Sequence, residues 1–161
     1  MCAQDVPASG ELFGFKEEDL DALKLRFGAT ATIDKGDSTP VLKVEVPASG
    51  NYPGVGFAPA AGDWDLSDFK GIEAEVSNEG SSNLSLTLRV DNQGKGDPNT
   101  WNAEAAALKP GETKTITVFF GKTWGKEGAA IDPAHIVETQ IFAASPAEEG
   151  VFVVRSLRAI P

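Results

Sequence analysis

Cysteine and histidine are almost missing from this sequence: Cys2 and His135 are the single copies of each in 161 residues. One thiol excludes an intrachain disulfide framework and a zinc site built from several thiolates, and one imidazole excludes a histidine-rich metal centre. Basic side chains are scarce too, 14 against 24 acidic ones, for a formal charge of −10. Nucleic acid and anionic membrane surfaces need cations to neutralise phosphate, so neither is expected as a partner; a neutral ligand or a cation fits better. No apolar run approaches the ~18 residues of a spanning helix, so membrane insertion is not expected. An apolar signal segment is also missing after Met1, which leaves a cytosolic protein or a mature domain whose signal has been removed. Cys2-Ala3-Gln4 fits a lipoprotein cleavage site with Met1 added for expression; a chance terminal cysteine is the plainer reading.

What remains is ordinary for a folded chain. Apolar residues make up 41% and charged residues 24%, and the length suits one domain, residues 1–161, with residues 1–10 read as a flexible start. ELFGFKEEDLDALKLRF gives one or two turns of helix near the N-terminus, with Leu20 and Leu23 on one side. From residue 29 the signal is period two. Leu42, Val44 and Val46 alternate with Lys43 and Glu45; Ile72, Ala74 and Val76 with Glu73 and Glu75. Leu84, Leu86, Leu88 and Val90 alternate with Ser85, Thr87, Arg89 and Asp91, and Ile116, Val118 and Phe120 with Thr115, Thr117 and Phe119. VETQIFAA and FVVRSLRAI are further runs. Strict alternation gives each strand one core face and one face toward water or a ligand. With turn chemistry at DKGDSTP, NEGSSN and KPGE between them, such strands predict an all-β fold, an antiparallel β-sandwich.

Catalytic signatures are missing: there is no G-x-S-x-G elbow and no P-loop. His135 lies where a turn leads into a strand and reads as a solvated or hydrogen-bonded histidine. GDWDLSDF supplies Asp63, Asp65 and Asp68, types that commonly serve as turn and cap residues. Binding has better support. Sugar rings present apolar C–H faces and hydroxyl rims, which proteins meet with aromatic platforms and with Arg, Asp, Asn and Gln. The stretch RVDNQGKGDPNTW puts Arg89 and Asp91 on the polar face of a strand, with Asn92, Gln93, Trp101 and Asn102 following in a polar loop. Trp101 is therefore the leading sugar platform and Tyr52, in SGNYPGVGF, the second; Arg89, Asp91, Asn92 and Asn102 are expected to orient hydroxyls. Trp64 is expected to close one end of the core. Trp124, between glycines, suits packing and binding equally.

The order WDLSDFKGIEAEVSN, LTLRVDN, ALKPGETKTITVFF, WGKEG, IVETQIFAASP and FVVRSLRAI resembles the galactose-binding-like jelly-roll module that accompanies agarases and related polysaccharide hydrolases, over about Phe13 to Ile160. The resemblance implies a two-sheet jelly roll and non-catalytic carbohydrate binding beside a hydrolase domain, with Arg89 and Asp91 matching its R-x-D and Trp101 in the loop after it. It also implies a structural calcium held by carboxylates near the first strand and by an Asp of the last strand. Here Arg155 stands where that Asp would be and Ser156 where an Asn would be, and a cation opposes Ca²⁺. Glu11, Glu17 and Asp19 are the remaining oxygen donors; the alternative is that Arg155 pairs with one of them, and no metal or other cofactor is expected.

The leading expectation is thus a monomeric carbohydrate-binding module of a secreted or cell-surface polysaccharide hydrolase, with a galactan such as agar as ligand. The second is a structural β-sandwich that packs against a catalytic domain without binding sugar. The third is a small hydrolase that uses two of the chain's carboxylates.

Overall fold

The computed structural model describes residues 10–35, 39–59, 62–92 and 101–161. Two five-stranded antiparallel sheets face each other across one core. The first has the order β1-β4-β11-β6-β7, from β1 (Leu23–Arg26), β4 (Gly54–Phe57), β6 (Leu84–Asn92), β7 (Trp101–Leu108) and β11 (Ile136–Ala143). The second has the order β2-β3-β12-β5-β8, from β2 (Thr30–Asp34), β3 (Val41–Val46), β5 (Gly71–Asn78), β8 (Thr113–Phe119) and β12 (Gly150–Ile160). A hairpin, β9 (Lys122–Thr123) with β10 (Lys126–Glu127), stands at the β7 edge. The short helix expected near the N-terminus is a 3-10 helix, Glu17–Ala22. Gly10, the first described residue, is docked: its carbonyl accepts from Ala159 N at 2.7 Å.

The alternating residues make the core. Leu42, Val44, Ile72, Val76, Leu86, Leu88, Val90 and Val118 are each 0% exposed. Each such side chain contributes ~1.5–3 kcal/mol by leaving water. Trp64 closes one end of the core at 3% exposure, and its backbone pairs with Ile136 in both directions, at 2.8 and 3.1 Å.

Two β-bulges break the alternation, and each re-aims the residues beyond it. In β12 the register shifts between Val154 and Ser156, so the inward positions change from Phe152 and Val154 to Leu157 and Ala159. In β11 it shifts between Ile136 and Glu138; Ile136, Ile141 and Ala143 enter the core, while Glu138, Gln140 and Phe142 share the opposite face.

Candidate functional site

The outward face of the first sheet carries a groove of about 570 Å³. Register fixes its floor in three rows. Glu138, Asp91 and Trp101 lie side by side on β11, β6 and β7; Lys24, Gly56, Gln140, Arg89 and Ala103 form the next row; Arg26, Gly54, Phe142, Thr87 and Ala105 form the third. Side chains on one face of paired strands touch along such rows and diagonally between them.

Arg89 is fixed from two sides. Its Nε and Nη2 each approach Asp91 Oδ1 at 2.8 Å, and its guanidinium carbon lies 4.7 Å from the Trp101 ring centroid. Asp91 is buried, and its second oxygen accepts from Gln140 Nε2 at 2.7 Å. One carboxylate therefore locks both a cation and an amide into the floor, with charge-assisted bonds stronger than neutral ones.

Arg26 is fixed in the same manner by Glu138. Its Nη2 donates to Oε1 at 3.0 Å, and Nη1 sits 2.7 Å from Oε2, close enough for charge attraction but outside hydrogen-bond geometry. The pair runs diagonally over Gly56, where a Cβ would collide with Glu138 Oε2 and Arg26 Nη1. Glycine is what lets this part-buried ion pair lie flat across β4. Gly54, likewise, leaves room for Phe142.

Aromatic rings stand around this floor. Tyr52 is 52% exposed and meets Phe142 edge-on, with centroids 5.6 Å apart. Phe27 and Trp124, 53% and 52% exposed, both have left-handed backbones, φ +55° and +54°. Each precedes a glycine with positive φ, Gly28 at +86° and Gly125 at +74°, the two-residue pattern of a type I′ turn. That turn favours Asn or Asp first, and a bulky residue there costs of order 1 kcal/mol. Two exposed aromatics thus occupy strained turn tips on the groove wall.

Asn102 points away from the groove and is 0% exposed. Its Oδ1 accepts from Gly121 N at 2.7 Å, and its Nδ2 donates to Ala129 O at 2.9 Å and Thr123 Oγ1 at 3.3 Å. It ties the Trp124 hairpin to β7, helped by Trp124 N donating to Ala103 O at 3.0 Å. Asn92 is also buried, and its amide binds Asp132 N, Asp132 O and His135 O at 2.8–3.0 Å. Both amides serve the scaffold, so the expectation that they orient hydroxyls goes no further. Of the sequence-read residues, Arg89, Asp91, Trp101 and Tyr52 meet at the groove. Trp101 opens a strand instead of ending a loop, and Gln93 lies outside the described residues. The sequence reading missed Arg26, Phe27, Glu138, Gln140 and Phe142; the aromatic-glycine pairs Phe27-Gly28 and Trp124-Gly125 were the available signal for the walls.

His135 ends the 3-10 turn Pro133–His135, with Nδ1 3.2 Å from Asp63 Oδ2. Nearby, Asp65 sits below the ordinary aspartate range because the Ser67 hydroxyl and then the Ser67 N–H hydrogen-bond to it. The carboxylate set that the resemblance implied for a structural calcium is not assembled among the described residues. No three of their carboxylate, thiol or imidazole groups converge on one point. Arg155 is the extra residue of the β12 bulge and donates from Nε to Ser77 Oγ at 2.7 Å. It forms no ion pair with Glu11, Glu17 or Asp19. No described helix is long and apolar enough to cross a membrane, and Cys2 lies outside the described residues.

No protein-family model matches the chain. β-Agarase B of Vibrio sp. (strain JT0107) is 23% identical over 195 aligned positions, which take in 97% of this chain and 20% of that protein. Among solved structures, an exo-β-agarase superposes with a TM-score of 0.77 at 15% identity over 95% of this chain and 25% of its own. The family 11 carbohydrate-binding module of Clostridium thermocellum, solved in complex with a β-1,3-1,4-mixed-linked tetrasaccharide, matches with a TM-score of 0.62 at 18% identity over 86% of both chains. The fold is the jelly roll of these modules. The chain spans about a fifth of the curated relative and a quarter of the exo-β-agarase.

Proposed function

We propose that residues 1–161 form a single non-catalytic carbohydrate-binding module, which holds one polysaccharide chain along the groove of the first sheet. The observation that carries this reading is the set of aromatics around the groove, exposed Tyr52, Phe27 and Trp124 with half-buried Trp101, about a floor of immobilised guanidinium and amide donors. Rings take the C–H faces of sugars, and Arg26, Arg89 and Gln140 offer N–H donors to hydroxyls. Asp91 acts through Arg89 and Gln140, which it holds in place.

The relatives support the ligand class, and the β-agarase likeness makes an agar-type galactan the first candidate. In this reading the module is secreted or cell-surface, acts as a monomer, and serves a polysaccharide hydrolase to which it is attached. Affinity is expected at about 10⁻³ to 10⁻⁵ M, because sugar hydroxyls exchange water for protein partners at small net gain. Titration of the 161-residue protein with agarose oligosaccharides and mixed-linkage β-glucan, read by tryptophan fluorescence, tests it. A saturable change whose midpoint moves about tenfold higher in Trp101→Ala supports the module; no response to either sugar rejects it.

A second reading, a sandwich that packs on a catalytic domain without binding sugar, draws on Leu25 and Phe119. They are 49% and 46% exposed and lie outside the groove lining. It takes over if the protein is well folded yet silent in both titrations.

A further inference from the structure

The two cations that line the groove are already matched. Arg26 and Arg89 are its charged lining residues, and behind them sit Glu138, 8% exposed, and Asp91, 7% exposed, facing one another across β11 and β6. The floor therefore holds two guanidiniums and two carboxylates, with contacts of 2.7–3.0 Å inside each pair. A sulfate or carboxylate on a ligand would have to share a guanidinium with a buried carboxylate, so each attraction would be offset by repulsion from an acid a few ångströms behind it. Lys24 shares the Gly56 row and is exposed, and Lys122 and Lys126 are exposed on the hairpin that carries Trp124; these solvated cations flank the face and do not line the groove. The whole chain adds a formal charge of −10, which slows the approach of any polyanion.

We infer that the Arg26–Glu138 pair laid over Gly56, together with Arg89–Asp91, is a charge filter: it presents oriented N–H donors without net charge, and so admits uncharged polysaccharide chains and rejects sulfated or uronate-bearing ones. This rests on the groove being a sugar site. Three features favour a built device over a chance ion pair. The Arg26–Glu138 pair is laid flat by a glycine whose replacement would break it. Both acids are buried under the cations they hold. The two pairs belong to separate strand combinations, β1 with β11 and β6 within itself, yet meet in one floor.

The test compares unsulfated agarose oligosaccharides with sulfated carrageenan oligosaccharides of equal length, on wild type, Glu138→Gln and Asp91→Asn. Each substitution keeps the shape of the side chain and leaves one guanidinium unmatched. Wild type is expected to bind the unsulfated series about tenfold more tightly or better. Each variant should gain carrageenan affinity by about fivefold or more, and the gain should vanish as salt is raised. Thermal melts verify folding; if either variant is unfolded, the other and the wild-type salt series decide. Equal wild-type affinity for both series overturns the filter while leaving the binding module intact, as does an unchanged ratio in a folded variant. Failure to bind any sugar removes the module itself, and the filter with it.

Discussion

Arg89 works in two directions at once: its edge hydrogen-bonds Asp91 while its plane covers Trp101. A lysine has neither the planar fork nor the stacking surface. Arg89→Lys should therefore loosen the Trp101 ring and lower sugar affinity while leaving net charge untouched, which calorimetric titration would register. Trp101→Ala and Trp124→Ala should each weaken binding by about tenfold, near 1.4 kcal/mol, because each removes one face of contact. Gly56→Ala is the severe change at this scale. Its Cβ would occupy the path of the Arg26–Glu138 pair, and breaking a part-buried pair costs ~1–3 kcal/mol. Both melting temperature and affinity should fall. A different residue, Asp65, gives a pH prediction. Its depressed folded pKa favours the carboxylate in the native state, so its contribution is present above the unfolded pKa and is lost as pH falls through the folded value. Ser67→Ala removes the leading cause, the hydroxyl donor, and should raise the Asp65 pKa in a carboxyl NMR titration without touching sugar binding.

At the scale of elements, the hairpin β9–β10 shows how a wall is fixed by residues that never meet the ligand. Asn102 supplies the acceptor for Gly121 N–H and a donor to Ala129 C=O. Asn102→Ala should cost about 1–3 kcal/mol by leaving these groups unpaired. Amide exchange at Gly121 should rise, and affinity should fall through Trp124. This element was hidden in the sequence. Residues 101–108, WNAEAAAL, show no period-two contrast, and Ala, Glu and Leu are good helix formers. They form a strand because β6 offers an unpaired edge and register partners from Leu84 to Asp91. Long alternating runs such as Leu84–Val90 were legible because each core position is apolar. Glu138 was not, since the bulge after Ile136 changes which residues of β11 face out. A bulge is a property of pairing, and pairing is not written in one strand.

For the whole molecule, the sandwich could be read from the spacing of strands and turns, whereas the groove could not. Its floor joins residues far apart in the chain, Arg26 with Glu138 and Asp91 with Gln140, and only their register brings them into rows. A ligand that binds the folded state alone stabilises it by mass action. At a hundredfold excess over Kd the gain is ~2.7 kcal/mol, or about 5–10 °C in melting temperature. Agarose oligosaccharide should produce that shift in wild type and about half of it in Trp101→Ala, whose tenfold weaker binding gains ~1.4 kcal/mol at the same concentration. Chelation should leave the melt unchanged, since Arg155 bonds Ser77 where a calcium carboxylate was implied.

The position of β11 has a further consequence, for synthesis. It lies between β4 and β6, and β11 is the one strand of the sheet that joins the pair β1–β4 to the pair β6–β7. Before Ile136–Ala143 are made, the two pairs have no strand between them, and the floor residues Glu138, Gln140 and Phe142 are missing. The groove can form only after residues through Ala143 have been made, and until then the open edges of β4 and β6 are of the kind that invites mispairing.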